Sequence, residues 1–165
     1  MNYRLVVGLL LASAFPGGAW ADWQYTKWGM TPEEVVAASD GKIKMLEKPR
    51  PAAPGEVALV EGRYESGDLK FSATFVFRDA EKKSLTLVSL ALLDSEKLTC
   101  AGVHEALFAK YGEPGHVISD RSTFTRQLFW QDRPTNLSIE LFRTIKDILC
   151  LVSYRPLTTI NNRGL

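Results

Sequence analysis

The clearest pattern along the chain lies at 69–78. Leu69, Phe71, Ala73, Phe75 and Phe77 alternate with Lys70, Ser72, Thr74, Val76 and Arg78. A period of two predicts a half-buried antiparallel strand. A strand over 57–65 precedes it. Another over 84–92 follows the polar turn 79–83 and changes apolar phase between Leu87 and Val88, which calls for a bulge or for cover on both faces. Three further strands are predicted at 123–131, 136–143 and 148–154, separated by the turns 132–135 and 144–147. In the middle one, Leu137, Ile139 and Leu141 oppose Ser138, Glu140 and Phe142.

Two segments change the period from two to that of a helix. Thr31-Pro32-Glu33-Glu34 carries a cap, a proline suited to the first turn and the acid of a capping box. Met30 and Val35 sit where a hydrophobic staple forms, and Asp40-Gly41 ends the helix. A second helix is predicted over 99–111, with Cys100, Val103, Leu107 and Tyr111 on one stripe and Gly112 and Pro114 closing it. Residues 47–56 hold three prolines, which exclude a helix or a central strand and read as an extended connector.

The expected order is therefore helix, three strands, helix, three strands: an α+β fold with two helices on an antiparallel sheet. It reads as a tandem helix–three-strand repeat with halves 22–97 and 98–165. No polar boundary separates the halves, so a single domain with one continuous sheet is expected.

The first 21 residues stand apart from this pattern. Arg4 precedes an apolar run over 5–15, and Ala19-Trp20-Ala21 has the form of a cleavage site, which together read as a secretory signal peptide. The run is too short for a transmembrane helix. No cysteine follows the cleavage site, so no lipid anchor is expected, and the location implied is periplasmic or secreted. Composition adds exclusions. With 45% apolar and 24% charged residues, the chain is neither disordered nor fibrous. Removing Arg4 with the leader leaves 19 basic and 19 acidic residues, a balance that argues against nucleic acid as partner.

Export also decides how the only two cysteines read. An oxidising compartment favours a Cys100–Cys150 disulfide. A metal would need more ligands than His104 and His116 provide, so no metal or cofactor is expected. His104-Glu105-Ala106-Leu107-Phe108 begins like a zinc-protease helix but has Phe where the second His is required. His116, Asp120 and Arg121 form a polar cluster in the loop after the second helix, with no nucleophile beside it. Asn136-Leu137-Ser138 matches a glycosylation sequon by pattern only.

The aromatic residues are the more informative set. Trp23, Tyr25 and Trp28 crowd the segment before the first helix, and Phe129 and Phe142 fall on strand faces opposite Trp130 and Leu141. Trp23, Tyr25, Phe129, Trp130 and Phe142 either complete a second core layer or form a surface that takes a partner.

Gly29-Met30-Thr31-Pro32-Glu33-Glu34-Val35 resembles the helix entrance of the BamE/SmpA-type domain of bacterial envelope proteins. With Trp28 before it, the segment resembles the W-G-M-[TS] box of exported bacterial proteins of uncharacterised function. The stretch from Leu107 to Pro114 is similar to the matching helix exit, and Trp130, Leu137-Ser138-Ile139 and Val152-Ser153-Tyr154 fit that domain's strands. The resemblance implies a fold like that of the β-lactamase inhibitor protein and a non-enzymatic role in protein interaction. The expected function is thus an exported interaction module whose partner is another envelope protein. A binder of a small lipid or peptide is the alternative, and a small hydrolase stands third.

Overall fold

The structure is a computed structural model that describes residues 23–93, 100–144 and 149–157. The signal peptide expected over 1–21 lies outside them. Chain order is α1 (Pro32–Ala38), β1 (Ile43–Ala53), β2 (Glu56–Ser66), β3 (Leu69–Arg78), β4 (Leu85–Leu92), α2 (Cys100–Tyr111), β5 (His116–Asp120), β6 (Thr125–Asp132), β7 (Leu137–Thr144) and β8 (Cys150–Pro156). All eight strands form one antiparallel sheet in the order β1-β2-β3-β4-β8-β7-β6-β5.

This corrects the α+β expectation. Among the described residues strand accounts for 56% and helix for 16%, which makes the fold largely β. Four strands follow each helix rather than three, because two segments read as loops are strands. β1 takes up the proline-rich connector, and it can do so because it is an edge strand. Pro49 and Pro51 need no partner on the outer side, and the register shifts twice around them. β5 escaped the sequence pattern because all five of its residues are exposed, so no alternation marks them.

The helices form where their caps predict. Thr31 Oγ1 accepts from the Glu34 amide at 3.3 Å, and the Glu34 carboxylate accepts from the Thr31 amide at 2.8 Å. Asp40 and Gly41 both turn through positive φ to end α1. A seven-residue helix is unstable alone, and Val35, fully buried, fixes it to the core. That core occupies one face of the sheet. It gathers Phe71, Phe75 and Phe77 from β3, Val88 and Leu90 from β4, and Ile139 and Leu141 from β7 beneath Val103 and Leu107 of α2. Burying each such side chain contributes about 1.5–3 kcal/mol.

The phase change in β4 resolves as both predicted devices together. The pairing shifts from Val76–Leu87 to Phe77–Leu85, which leaves Thr86 as an extra residue. Leu87 then joins Ala58 and Val76 in a small second cluster on the opposite face. Cys100 and Cys150 are disulfide-bonded with 5.6 Å between Cα atoms, tying the first residue of α2 to the first residue of β8.

Candidate functional site

Residues paired across adjacent strands share a face of the sheet. Both helices lie on the core face, so the cross-strand rows of the other face can be followed from end to end. One row runs His116–Phe129–Glu140–Ser153–Ser89–Thr74–Glu61–Lys44. The next runs Ile118–Gln127–Phe142–Leu151–Ala91–Ser72–Arg63. At the β2 side this face is closed by an ion pair. Arg155 donates to both carboxylate oxygens of Glu56, at 2.8 and 3.2 Å. The pair reaches from β8 to β2 across the intervening β3 and β4. At the β5 side the face is open. Phe129, Phe142 and Leu151 are half-buried and Ile118 is exposed, beside an edge strand without proline.

The structure separates the aromatic residues singled out from the sequence. Trp23 (5% exposed) and Trp130 (2% exposed) are core residues, not surface. Trp23 lies 5.1 Å from the Tyr64 ring and 5.7 Å from that of Phe75, between centroids. Trp130 donates its indole N–H to the Gly112 carbonyl at 2.8 Å and so latches the end of α2 to β6. Tyr25 packs edge-on against Trp23, and partial burial raises its phenol pKa. Phe129 and Phe142 alone of the five stand on the helix-free face. His104 is half-buried on α2, its ring 6.2 Å from that of Trp130.

The polar cluster does not assemble. His116 and Asp120 are the two ends of β5, about 13 Å apart at 3.3 Å per residue. His116 packs against Phe129, 5.9 Å between ring centroids, and lines a cavity of ~370 Å³ with Tyr111, Glu113, Trp130 and Arg133. Asp120 and Arg121 line a different cavity of ~230 Å³ with Ser119, Thr125, Arg126 and Arg143. The Asp120 carboxylate accepts from the amide and hydroxyl of Ser122, at 2.8 and 2.7 Å, and from the Thr123 amide. Bonds to Ser122 and Thr123 hold its pKa down to about 2.

Sequence reasoning passed over Glu140, which sits between Phe129 and Ser153 on the open face. Burial raises its carboxyl pKa, and nearby Arg155 opposes the shift. It also passed over Arg126 and Arg143, which face each other across β6 and β7. Their one sequence signal was two basic residues at ladder positions, visible only once the register is known. A third gap, beneath α2 between Tyr64, Phe71, Val103, Leu107 and Tyr154, measures ~120 Å³. No helix among the described residues is long and apolar enough to cross a membrane.

No family model matches this chain, and no curated protein does. Among solved structures it is similar to a DUF4309 family protein (YjgB) from Bacillus subtilis. The two share 15% sequence identity over 76% of this chain and 78% of that one, with a TM-score of 0.46.

Proposed function

We propose that this protein is an exported, non-enzymatic module of the periplasm or cell envelope that docks another envelope protein on its helix-free sheet face. The observation that carries the reading is the open end of that face. Phe129, Phe142 and Leu151 are only half-buried there, in rows continuous with the exposed edge strand β5. Partly exposed aromatic side chains on a rigid sheet offer contact area with little loss of side-chain freedom. An open edge adds main-chain donors and acceptors for a partner strand. The opposite edge is blunted by Pro49, Pro51 and two register shifts, which confines strand addition to the β5 side.

The export reading is supported by the leader pattern at 1–21 and by the disulfide, since such bonds persist in oxidising compartments. The resemblance of the Trp28–Val35 box to exported envelope proteins supports the same assignment. The separation of His116 from Asp120 and Arg121 supports a non-catalytic role over the hydrolase reading. The apolar gap beneath α2, at ~120 Å³, is below the usual 300–1,000 Å³ of a small-molecule site, and the ~370 Å³ cavity beside His116, though within that range, has Glu113, Gln131 and Arg133 in its lining, which favours protein docking over lipid binding.

The test is capture from envelope extract by the mature chain, compared with a Phe129→Ser/Phe142→Ser variant. Phe108→Ser, an exposed change on α2, serves as the control. The expected result is a specific partner held by wild type and by the control but lost from the double variant. A partner held equally by all three, or no specific partner, refutes the reading.

A further inference from the structure

We propose that the cavity at the far end of β5 is a binding site for a doubly charged tetrahedral oxyanion, a phosphate or sulfate group, held by Arg121, Arg126 and Arg143. The inference is independent of the docking face. Ser119, Arg126, Arg143 and Cys150 form one cross-strand row on the core side of the sheet, whereas Phe129 and Phe142 lie on the other.

Three observations converge on this site. First, Arg126 and Arg143 are direct cross-strand partners, and like charges so placed repel and destabilise a ladder. Arg121, on the turn between β5 and β6, lines the same ~230 Å³ cavity and adds a third cation. Second, no ion pair among the described residues neutralises these charges. The three ion pairs among the described residues join Arg50 to Glu61, Lys83 to Asp79 and Arg155 to Glu56. The cavity's single carboxylate, Asp120, directs Oδ1 into its own turn at Ser122 and Thr123. Third, the Nε atom of Arg126 is buried with no hydrogen-bond partner among the described residues. A buried donor left unmade is costly, and a charged one more so.

The charge balance points to the ligand class. Three guanidiniums and one ionised carboxylate leave an excess of two positive charges, which a dianion neutralises. Guanidinium forks match the paired oxygens of phosphate and sulfate. Ser119, in the same cross-strand row as Arg126 and Arg143, supplies a neutral hydroxyl donor. Cys150 continues the Arg126–Arg143 row and is bonded to the first residue of α2, so the start of that helix lies on the same side of the sheet as the two arginines.

The experiment is calorimetric titration of the purified full mature chain with inorganic phosphate, sulfate and dimethyl phosphate, at ionic strength held constant with chloride. Saturable binding of phosphate and sulfate is expected. It should weaken roughly tenfold or more in Arg126→Gln and in Arg143→Gln, the loss of one charged hydrogen bond. The exposed Arg121→Gln guards against a folding defect in the other two, and Arg133→Gln, at the other cavity, should bind like wild type. Dimethyl phosphate, a monoanionic diester, distinguishes sources. Much weaker binding than phosphate is expected and assigns a dianion, free or as a terminal monoester, whereas binding equal to phosphate overturns the dianion assignment because a single negative charge would then suffice. Thermal unfolding adds a second readout. In chloride Arg143→Gln should melt no lower than wild type because the repulsion is gone, while in phosphate the wild type should overtake it. Absence of saturable binding to any of the three anions overturns the proposal, as does binding retained by all three site variants.

Discussion

Opening the Cys100–Cys150 bond tests how this fold holds its second helix. The bond closes a loop with a sequence separation of 50. Loop-closure entropy for that length places the bond at about 4 kcal/mol of stability at room temperature. That is a large share of the 5–15 kcal/mol typical of a domain. A Cys100→Ala/Cys150→Ala variant should therefore unfold at a urea concentration lower by about 2 M, taking a slope near 2 kcal/mol per M. The loss should also be local before it is global. With the staple gone, α2 is held by Val103 and Leu107, the other buried residues of a 12-residue helix. A helix of that length is marginal alone. Hydrogen exchange should show the amides of α2 losing protection while those of β4 and β8, at the centre of the sheet, keep theirs. Reduction of the wild type should reproduce both effects. A midpoint shift below about 0.5 M, or exchange that rises first in β4 and β8, would refute the reasoning.

Three further outcomes follow from local geometry. Thr31→Ala removes the acceptor for the Glu34 amide and should cost about 1 kcal/mol by denaturant unfolding; no change would show that α1 is held by Val35 alone. Gly62→Ala sets a Cβ against Ile43 Cγ2 and 2.8 Å from the Lys42 carbonyl across the β1–β2 ladder. It should destabilise by about 1–3 kcal/mol, and a neutral result would mean that β1 yields freely. Glu140→Gln tests the open face by pH. Burial raises the folded-state pKa of Glu140 above its unfolded value, so the carboxyl contributes most while protonated. That contribution falls as pH rises through the window between the two values. The variant should match wild type near pH 4 and exceed it near pH 8 in unfolding midpoint, and the opposite order would sink the argument.

Much of the fold was readable residue by residue. The alternation at 69–78 is β3, the Thr31–Glu34 box caps α1, and the only cysteine pair forms the disulfide. These features are local or forced by elimination. The misses share a cause. β5 has no buried face to impose a period, and β1 carries prolines that are tolerated because the strand lies at an edge. Counting those two segments as loops led to three strands per helix and to an α+β balance that the sheet overturns. The site was less legible still. Alternation sets Phe129 and Trp130 on opposite faces but not which of them is covered: Trp130 is latched to Gly112 in the core, and Phe129 stands on the other face beside His116.

What the sequence determined by itself is the set of segments that must be buried on one side, because side-chain periodicity and capping chemistry act within a few residues. It determined equally the end points of the disulfide. Which face the helices cover, which strand ends the sheet, and that Arg126 meets Arg143 while His116 never meets Asp120 were decided only by tertiary structure. Those outcomes depend on the order and register in which strands far apart in the chain pair, and register is set by the packing of the whole core face rather than by any one segment.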